Sequence, residues 1–350
     1  MYAGISMRIA CTLMLHKPVP PKPPAVAEHR KRIWWTTFLM DAMTSSEMGL
    51  RATFALIQAE QPLPLDEQLA PADRDDFWGS KTMTAHLNLC NIRTLILETL
   101  AQLQESDFAS YEKATEVPLR ELELWKLQLP ADSSFEFSQG IPQAMLDQPW
   151  MRSLASVYLR YHQSYILLIR PVFFKLLGIV LRKDTVTSSL DGLISLCSQC
   201  LEAAKCNMRI LTTLSSRDRI GKSSTHYNYI QKSINRSSAK YGFYDSLHLF
   251  SGIMIFSLSR LVNTVRPLSL MQDPQDLSLY SVAKDLLMTM ASCGNLASKG
   301  HVQMLEDIEQ LLDVVSQNQE TQTPTFGSEI FPWIDSIDNS GYFLDTTEYS

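Results

Sequence analysis

Three cysteines in one apolar run, Cys197, Cys200 and Cys206 of LISLCSQCLEAAKCNMRIL, are the first residues whose spacing could do chemistry. The run starts as a zinc motif would, but a structural zinc takes four ligands and only three thiols are offered. On a helix the same residues become small side chains packed against a neighbour, and that is the expectation. GKSST, residues 221–225, has the end of a phosphate loop. The first glycine of that motif falls at Ser216, and no strand precedes it, so the cradle of backbone amides is missing. DRDDFW, residues 73–78, clusters acids without a second acidic motif to complete a helical metal site. It fits a solvated loop leading into a helix, whose N-terminus favours acids. The seven histidines are dispersed, with neither a His-Glu-x-x-His arrangement nor a Gly-x-Ser-x-Gly elbow. His162, in an apolar helix, is expected to be a core histidine with a satisfied ring. No catalytic, cofactor-binding or metal-ligating residue emerges, and the chain is not expected to be an enzyme. An all-α enzyme would have to rest on a buried acid such as Asp41.

The elements that position these residues are nearly all helical. In EHRKRIWWTTFLMD, residues 28–41, Trp34, Trp35, Phe38 and Ala42 cover one broad side at helical spacing. Ile33, Leu39, Met40 and Met43 extend it most of the way round, which predicts a helix buried on all sides. Asp41 within that helix needs a partner, since an unpaired buried carboxylate is costly, and Arg51 is the first candidate. Arg30, Lys31 and Arg32 mark the start of the helix, with Glu28 just before them. Helical patterns also cover residues 2–16, 77–105, 110–129, 150–170, 190–214, 242–265 and 279–297. Pro118 predicts a kink or a split in its helix, and Pro130 a stop. Arg170 is expected to brace a helix end just before Pro171. With no strand alternation and no fixed repeat, the fold class is all-α, a single large multi-helix domain of roughly eight to ten helices over residues 1–300. A polar, serine-rich loop interrupts it at 215–240.

Composition narrows the class. The chain has 350 residues, 45% hydrophobic and 19% charged, which suits a globular domain. Six scattered cysteines do not form a disulfide framework and fit a reducing compartment. No uninterrupted apolar run reaches the roughly 18 residues of a membrane span, and the apolar start MYAGISMRIACTLMLHK lacks the leading basic region of a secretory signal. No membrane partner is therefore expected. The net charge of −6 hides an asymmetry: the ten acidic residues after Lys299 face no Lys or Arg, while residues 1–299 are mildly basic. That body offers no broad basic footprint for nucleic acid. Residues 301–350 read as an acidic tail, and from 316 onward as disordered. In SEIFPWIDSIDNSGYFLDTTEYS, Phe331, Trp333 and Phe343 alternate with acids, the composition of an activation segment that docks aromatics on a coactivator.

The order of segments resembles the middle homology region of fungal zinc-binuclear-cluster transcription factors. MRIACTLMLHK is similar to the family's leucine-histidine-basic helix end. EHRKRIWWTTFLMD is similar to its most recognisable stretch. GLR, at 49–51, is a degraded glycine-arginine-proline, and PLPLD matches the element that follows. LELWKLQLP, at 122–130, carries Trp125 and the leucine-proline pattern. YLRYHQSYILLIRP, at 158–171, carries Tyr161, His162, Arg170 and Pro171. The resemblance implies that Trp34, Trp35, Asp41, Trp125, Tyr161, His162, Arg170 and Pro171 are structural anchors rather than ligand sites. It implies a nuclear regulator of transcription for a metabolic pathway, with a secondary-metabolite gene cluster among the candidates. It implies partners in the transcription machinery, engaged through the tail, and leaves a homo- or heterodimer open. DNA and zinc would enter only through the family's N-terminal six-cysteine cluster, which these residues do not contain. A module that heterodimerises with a full-length relative without touching DNA is the alternative.

Overall fold

A computed structural model describes residues 2–18, 23–47, 60–71, 79–103, 108–131, 133–148, 150–182, 190–217, 220, 242–266, 268, 270 and 274–321. Among the described residues there are nine α-helices and no strand: α1 (Tyr2–Thr12), α2 (Pro24–Glu47), α3 (Ser80–Gln102), α4 (Phe108–Leu127), α5 (Met151–Arg182), α6 (Leu190–Ser216), α7 (Phe243–Val265), α8 (Pro274–Ser292) and α9 (Leu296–Thr321). The chain divides after Ser134 into two compact units, a cut that the reading of one body over residues 1–300 does not place. One unit holds α1–α4 and the other α5–α9.

In the first unit, α1 ends in a Schellman turn. Met14 takes the left-handed conformation (φ 54°), the Leu15 amide donates to the Ala10 carbonyl at 2.9 Å, and the Met14 amide donates to Cys11 at 2.9 Å. Leu15 and Ala10 are both buried, so the turn carries the hydrophobic contact that usually accompanies it. Helix α2 opens with Pro24 at its first position, where the missing N–H costs nothing. It is buried on one side only: Trp34, Trp35, Phe38, Leu39 and Met43 face inward, while Ile33 and Met40 are each 42% exposed. The expectation of a helix covered all round fails because α1 and α3 pack against one side of it. Helix α4 runs unbroken through Pro118. Tyr111, Thr115, Pro118, Leu122 and Trp125 form one buried stripe, and this packing holds the helix together across the proline.

In the second unit, α7 is central and packs against α5, α6, α8 and α9. It is buried on every side, and its small residues permit that. A Cβ on Gly252 would lie 3.0 Å from the Ala204 carbonyl oxygen and from Met208 Cγ, so α6 and α7 cross almost backbone to backbone. Buried serines on α7 are satisfied locally or by neighbours: Ser259 Oγ donates to the Ile255 carbonyl at 2.9 Å, and Ser257 Oγ donates to the Tyr280 hydroxyl at 3.3 Å. Two stretches, Met151–Val180 and Phe243–Val265, are long and apolar enough to cross a membrane by length and composition. They lie in α5 and α7, which pack on each other and on α6, so most of that apolar surface is core.

Three boundaries differ from expectation. Helix α5 does not stop at Arg170 but continues through Pro171 to Arg182. Proline in a helix interior costs about 3 kcal/mol. Here Ile166, Leu168 and Ile169 before it, and Val172, Phe173, Leu176 and Leu177 after it, are all completely buried. Each such side chain contributes roughly 1.5–3 kcal/mol, which outweighs the break. Helix α6 reaches Ser216, and residues 218, 219 and 221–240 of the serine-rich loop lie outside the described residues. Finally, residues 301–321 of the expected acidic tail are helical, as the larger part of α9. His301, Leu305, Ile308 and Leu312 make a buried stripe at helical spacing, while Glu306, Asp307 and Asp313 face solvent. Residues 322–350, with Phe331, Trp333 and Phe343, lie outside the described residues.

Candidate functional site

The anchors expected on α2 and α4 lie within the first unit. Trp34 is fully buried; its ring meets Trp35 edge-on at 6.2 Å and His16 at 5.7 Å. Trp35 Nε1 donates to the Pro62 carbonyl at 3.0 Å, and its ring contacts Phe38 at 5.7 Å. Trp125 Nε1 donates to the Ala85 carbonyl at 2.9 Å, which ties α4 to α3. Asp41 is buried on α2, and its proposed partner Arg51 lies outside the described residues.

A charge cluster joins them that the segment pattern does not disclose. Glu28 is completely buried and pairs with Lys31 and Arg32 of its own helix. Its Oε2 also accepts the Leu65 amide at 3.0 Å. Arg32 reaches on to Asp66 at 2.5 Å. Asp66 Oδ2 in turn accepts the amide and the hydroxyl of Ser80, each at 2.9 Å, and so caps α3 from outside the helix. Arg32 is therefore an interior charge, and the basic cluster does not mark a helix start, since α2 begins at Pro24.

The remaining anchors lie along α5 in the second unit. Tyr161 and His162 are buried, with ring centroids 5.3 Å apart. His162 Nδ1 lies 3.3 Å from Asn207 Oδ1 of α6. Next to it, Gln163 Nε2 donates to Ser251 Oγ of α7 at 3.1 Å. Arg170 sits in the middle of α5, half-buried, rather than at a helix end. Its charge acts on Cys200, whose thiol is held far above the ordinary range by burial and by Cys197, with Arg170 pulling weakly the other way. Burial likewise pushes Cys197 up. Burial thus favours the neutral thiol at both positions.

A charged opening in this unit lies between α5 and the first turns of α7. It is a cleft of about 130 Å³ lined by Arg152, Ser156, Leu159, Arg160, Gly242, Tyr244, Asp245 and His248. Arg152 is held in place: one terminal nitrogen donates to both oxygens of Asp245, at 2.7 and 2.8 Å, and the other donates to Ser156 Oγ at 2.6 Å. None of these residues is among the sequence candidates. The available signal was the spacing of Arg152, Ser156 and Arg160, four residues apart each time and hence on one helix face. Their partner Asp245 is 93 residues further on.

At the opposite side of α7, Ser246 Oγ lies 2.9 Å from His301 Nδ1 and accepts the Ser298 hydroxyl at 2.7 Å. The His301 ring stacks on Phe250 at 4.6 Å with planes 2° apart. Burial lowers its pKa from 6.5 to about 4. The unfolded chain therefore takes up this proton first as pH falls. The stability gained by keeping the ring neutral is complete above about pH 6.5 and is lost progressively toward pH 4, by up to about 3 kcal/mol. Denaturant unfolding at stepped pH should show this slope in the wild type and a flatter one in His301→Gln. Equal slopes would refute the assignment.

With this geometry in hand, comparison with known proteins places the first part of the chain. Residues 1–152 match the fungal specific transcription factor domain. The chain is 26% identical over 200 residues to the thiamine repressible genes regulatory protein thi1 of Schizosaccharomyces pombe, a match covering 56% of this chain and 24% of that protein. It is 25% identical over 178 residues to an uncharacterized transcriptional regulatory protein of the same yeast, covering 49% of this chain and 21% of the relative. The chain thus spans about a quarter or less of the length of these relatives. No solved structure matches. The matched stretch contains the Trp34–Trp35 core, the Glu28–Arg32–Asp66 cluster and Trp125, and the relatives it is similar to are fungal transcriptional regulators.

Proposed function

We propose that the chain is a nuclear regulator of transcription, with α1–α9 as a regulatory body and residues 328–350 as the segment that engages the transcription machinery. The observation that carries this reading is the match of residues 1–152 to the fungal regulatory domain. Support for the tail is compositional: Phe331, Trp333 and Phe343 stand among acids with no Lys or Arg nearby. Such a segment cannot build a core of its own, yet it can bury a few aromatics on a partner. Among the described residues no group of His, Cys, Asp and Glu could hold a metal ion; in this reading DNA contact, and zinc with it, belongs to a six-cysteine cluster of the family's kind, on the same polypeptide or on a homo- or heterodimer partner. Control of a metabolic pathway is the finer reading, with a secondary-metabolite gene cluster as one candidate. One relative's name, which refers to thiamine-repressible genes, is the support for metabolic control in general.

The test is a reporter assay. Residues 328–350 fused to an unrelated DNA-binding domain should activate transcription. Changing Trp333 and Phe343 to Ala should silence the fusion, while changing a single acid should only weaken it, because the acids act collectively through long-range attraction. A fusion that is expressed and nuclear yet silent would remove the tail's role and favour the module that acts by pairing with a full-length relative.

A further inference from the structure

We propose that the outward face of α1 is an interface with a second copy of this chain. Helix α1 commits more large apolar side chains to solvent than to its own core. Met7 and Ala10 are its buried residues, whereas Tyr2, Ile5 and Ile9 are 84%, 47% and 55% exposed. A helix that serves only its own core has the reverse arrangement. The Leu13 amide still donates to the Ile9 carbonyl at 2.9 Å, so the helical path carries on to Leu13, which is 59% exposed. Tyr2, Ile5, Ile9 and Leu13 fall at helical spacing and form one stripe, about 80° wide at roughly 100° per residue.

The chemistry of the stripe selects its occupant. Arg8, the one charged residue of α1, lies roughly 100° round the helix from it. The hydroxyls beside the stripe are turned back on their own helix. Ser6 Oγ donates to the Tyr2 carbonyl at 3.0 Å, and Thr12 Oγ1 donates to the Arg8 carbonyl at 2.9 Å. The stripe therefore offers no charge to draw an acidic or basic segment, and covering it strands neither hydroxyl proton. A matching uncharged apolar stripe is its complement. A second α1 supplies one through a two-fold axis, the commonest symmetry of homo-oligomers. Area agrees with this occupant. Including Met14, 51% exposed in the turn that ends α1, the face presents on the order of 500 Å² of apolar surface, near the upper limit for patches on monomers. Two copies together remove on the order of 1,000 Å², about the least that a specific interface needs. Such a dimer is weak and concentration-dependent, with dissociation in the micromolar range.

The proposal gives a surface to the homodimer named above and rests on that part of the reading. The experiment is analytical ultracentrifugation of the whole chain from about 1 to 200 µM, a range that brackets micromolar dissociation. A reversible monomer–dimer equilibrium is expected. Ile9→Lys should weaken it at least about tenfold, because each copy loses an apolar side chain from the stripe and gains a charge there. Helical content and melting of the dilute chain should stay nearly unchanged, since Ile9 is more than half exposed. Leu277→Lys, at a similarly exposed apolar position on α8, should leave the dimer intact. A chain that stays monomeric throughout, a dimer that survives Ile9→Lys, or an equal loss in Leu277→Lys would each overturn the proposal. So would a monomeric chain that binds a synthetic 328–350 peptide or anionic vesicles until Ile9→Lys is made, which would give the stripe to the tail or to a lipid surface. The reporter assay reads residues 328–350 on an unrelated DNA-binding domain, so it stands or falls whatever the ultracentrifuge shows.

Discussion

Trp34→Ala should cost the α1–α4 unit about 3–5 kcal/mol, the usual range for removing a large buried aromatic. Trp34 is completely buried, and its neighbours in the core include Met7, Ala10, Leu15, Trp35, Phe38, Met83 and Leu87, drawn from α1, α2, α3 and the turn after α1. Its removal leaves a void at the point where these elements meet. Collapse into the void is opposed by the fixed contacts of Trp35, whose Nε1 is held by the Pro62 carbonyl. A domain of this kind is stable by only about 5–15 kcal/mol, so the variant should melt far earlier or populate an open state. Thermal and denaturant unfolding would show it. A variant with unchanged melting temperature would mean that the ring is not part of the core.

Arg32→Met should be nearly as damaging, at about 3–5 kcal/mol, the cost of breaking a buried ion pair from one side. Glu28 has no exposed side-chain surface and Arg32 has 6%. Without Arg32 the Glu28 carboxylate stays buried, with Lys31 and the Leu65 amide to meet it among the described residues. The loss also frees Asp66, which caps α3 through Ser80. A double-mutant cycle separates the pair from its surroundings. Arg32→Met combined with Glu28→Leu should be less harmful than the sum of the two single changes, because the orphaned charge is gone. Strict additivity, or a loss below about 1 kcal/mol for Arg32→Met, would show that the cluster carries no such energy.

Arg152 and Asp245 form a second ion pair, between α5 and α7, with Arg152 more exposed than Arg32. Removing either partner should therefore cost less than Arg32→Met.

The amino-acid sequence by itself determined the helical class, the aromatic core of α2 and the family resemblance, because each is written in short-range order. The spacing of Trp34, Trp35 and Phe38 is local, and so is the succession of motifs from MRIACTLMLHK to YLRYHQSYILLIRP. A period of 3.6 residues is a property of one segment and survives without knowledge of its neighbours. Tertiary structure decided what depends on partners far away in the chain. Pro171 ends a helix by local rule, yet α5 continues because buried side chains on both sides of the proline outweigh its cost. Ile33 and Met40 look like core by composition, and they are exposed because α1 and α3 cover one side of α2. Residues 301–313 look like part of an acidic tail by charge, and they pack because a thin stripe of His301, Leu305, Ile308 and Leu312 is buried. Arg32 meets Asp66 across 34 residues and Arg152 meets Asp245 across 93. No local spacing encodes such pairs, since their energy exists only once packing has excluded water from around the charges.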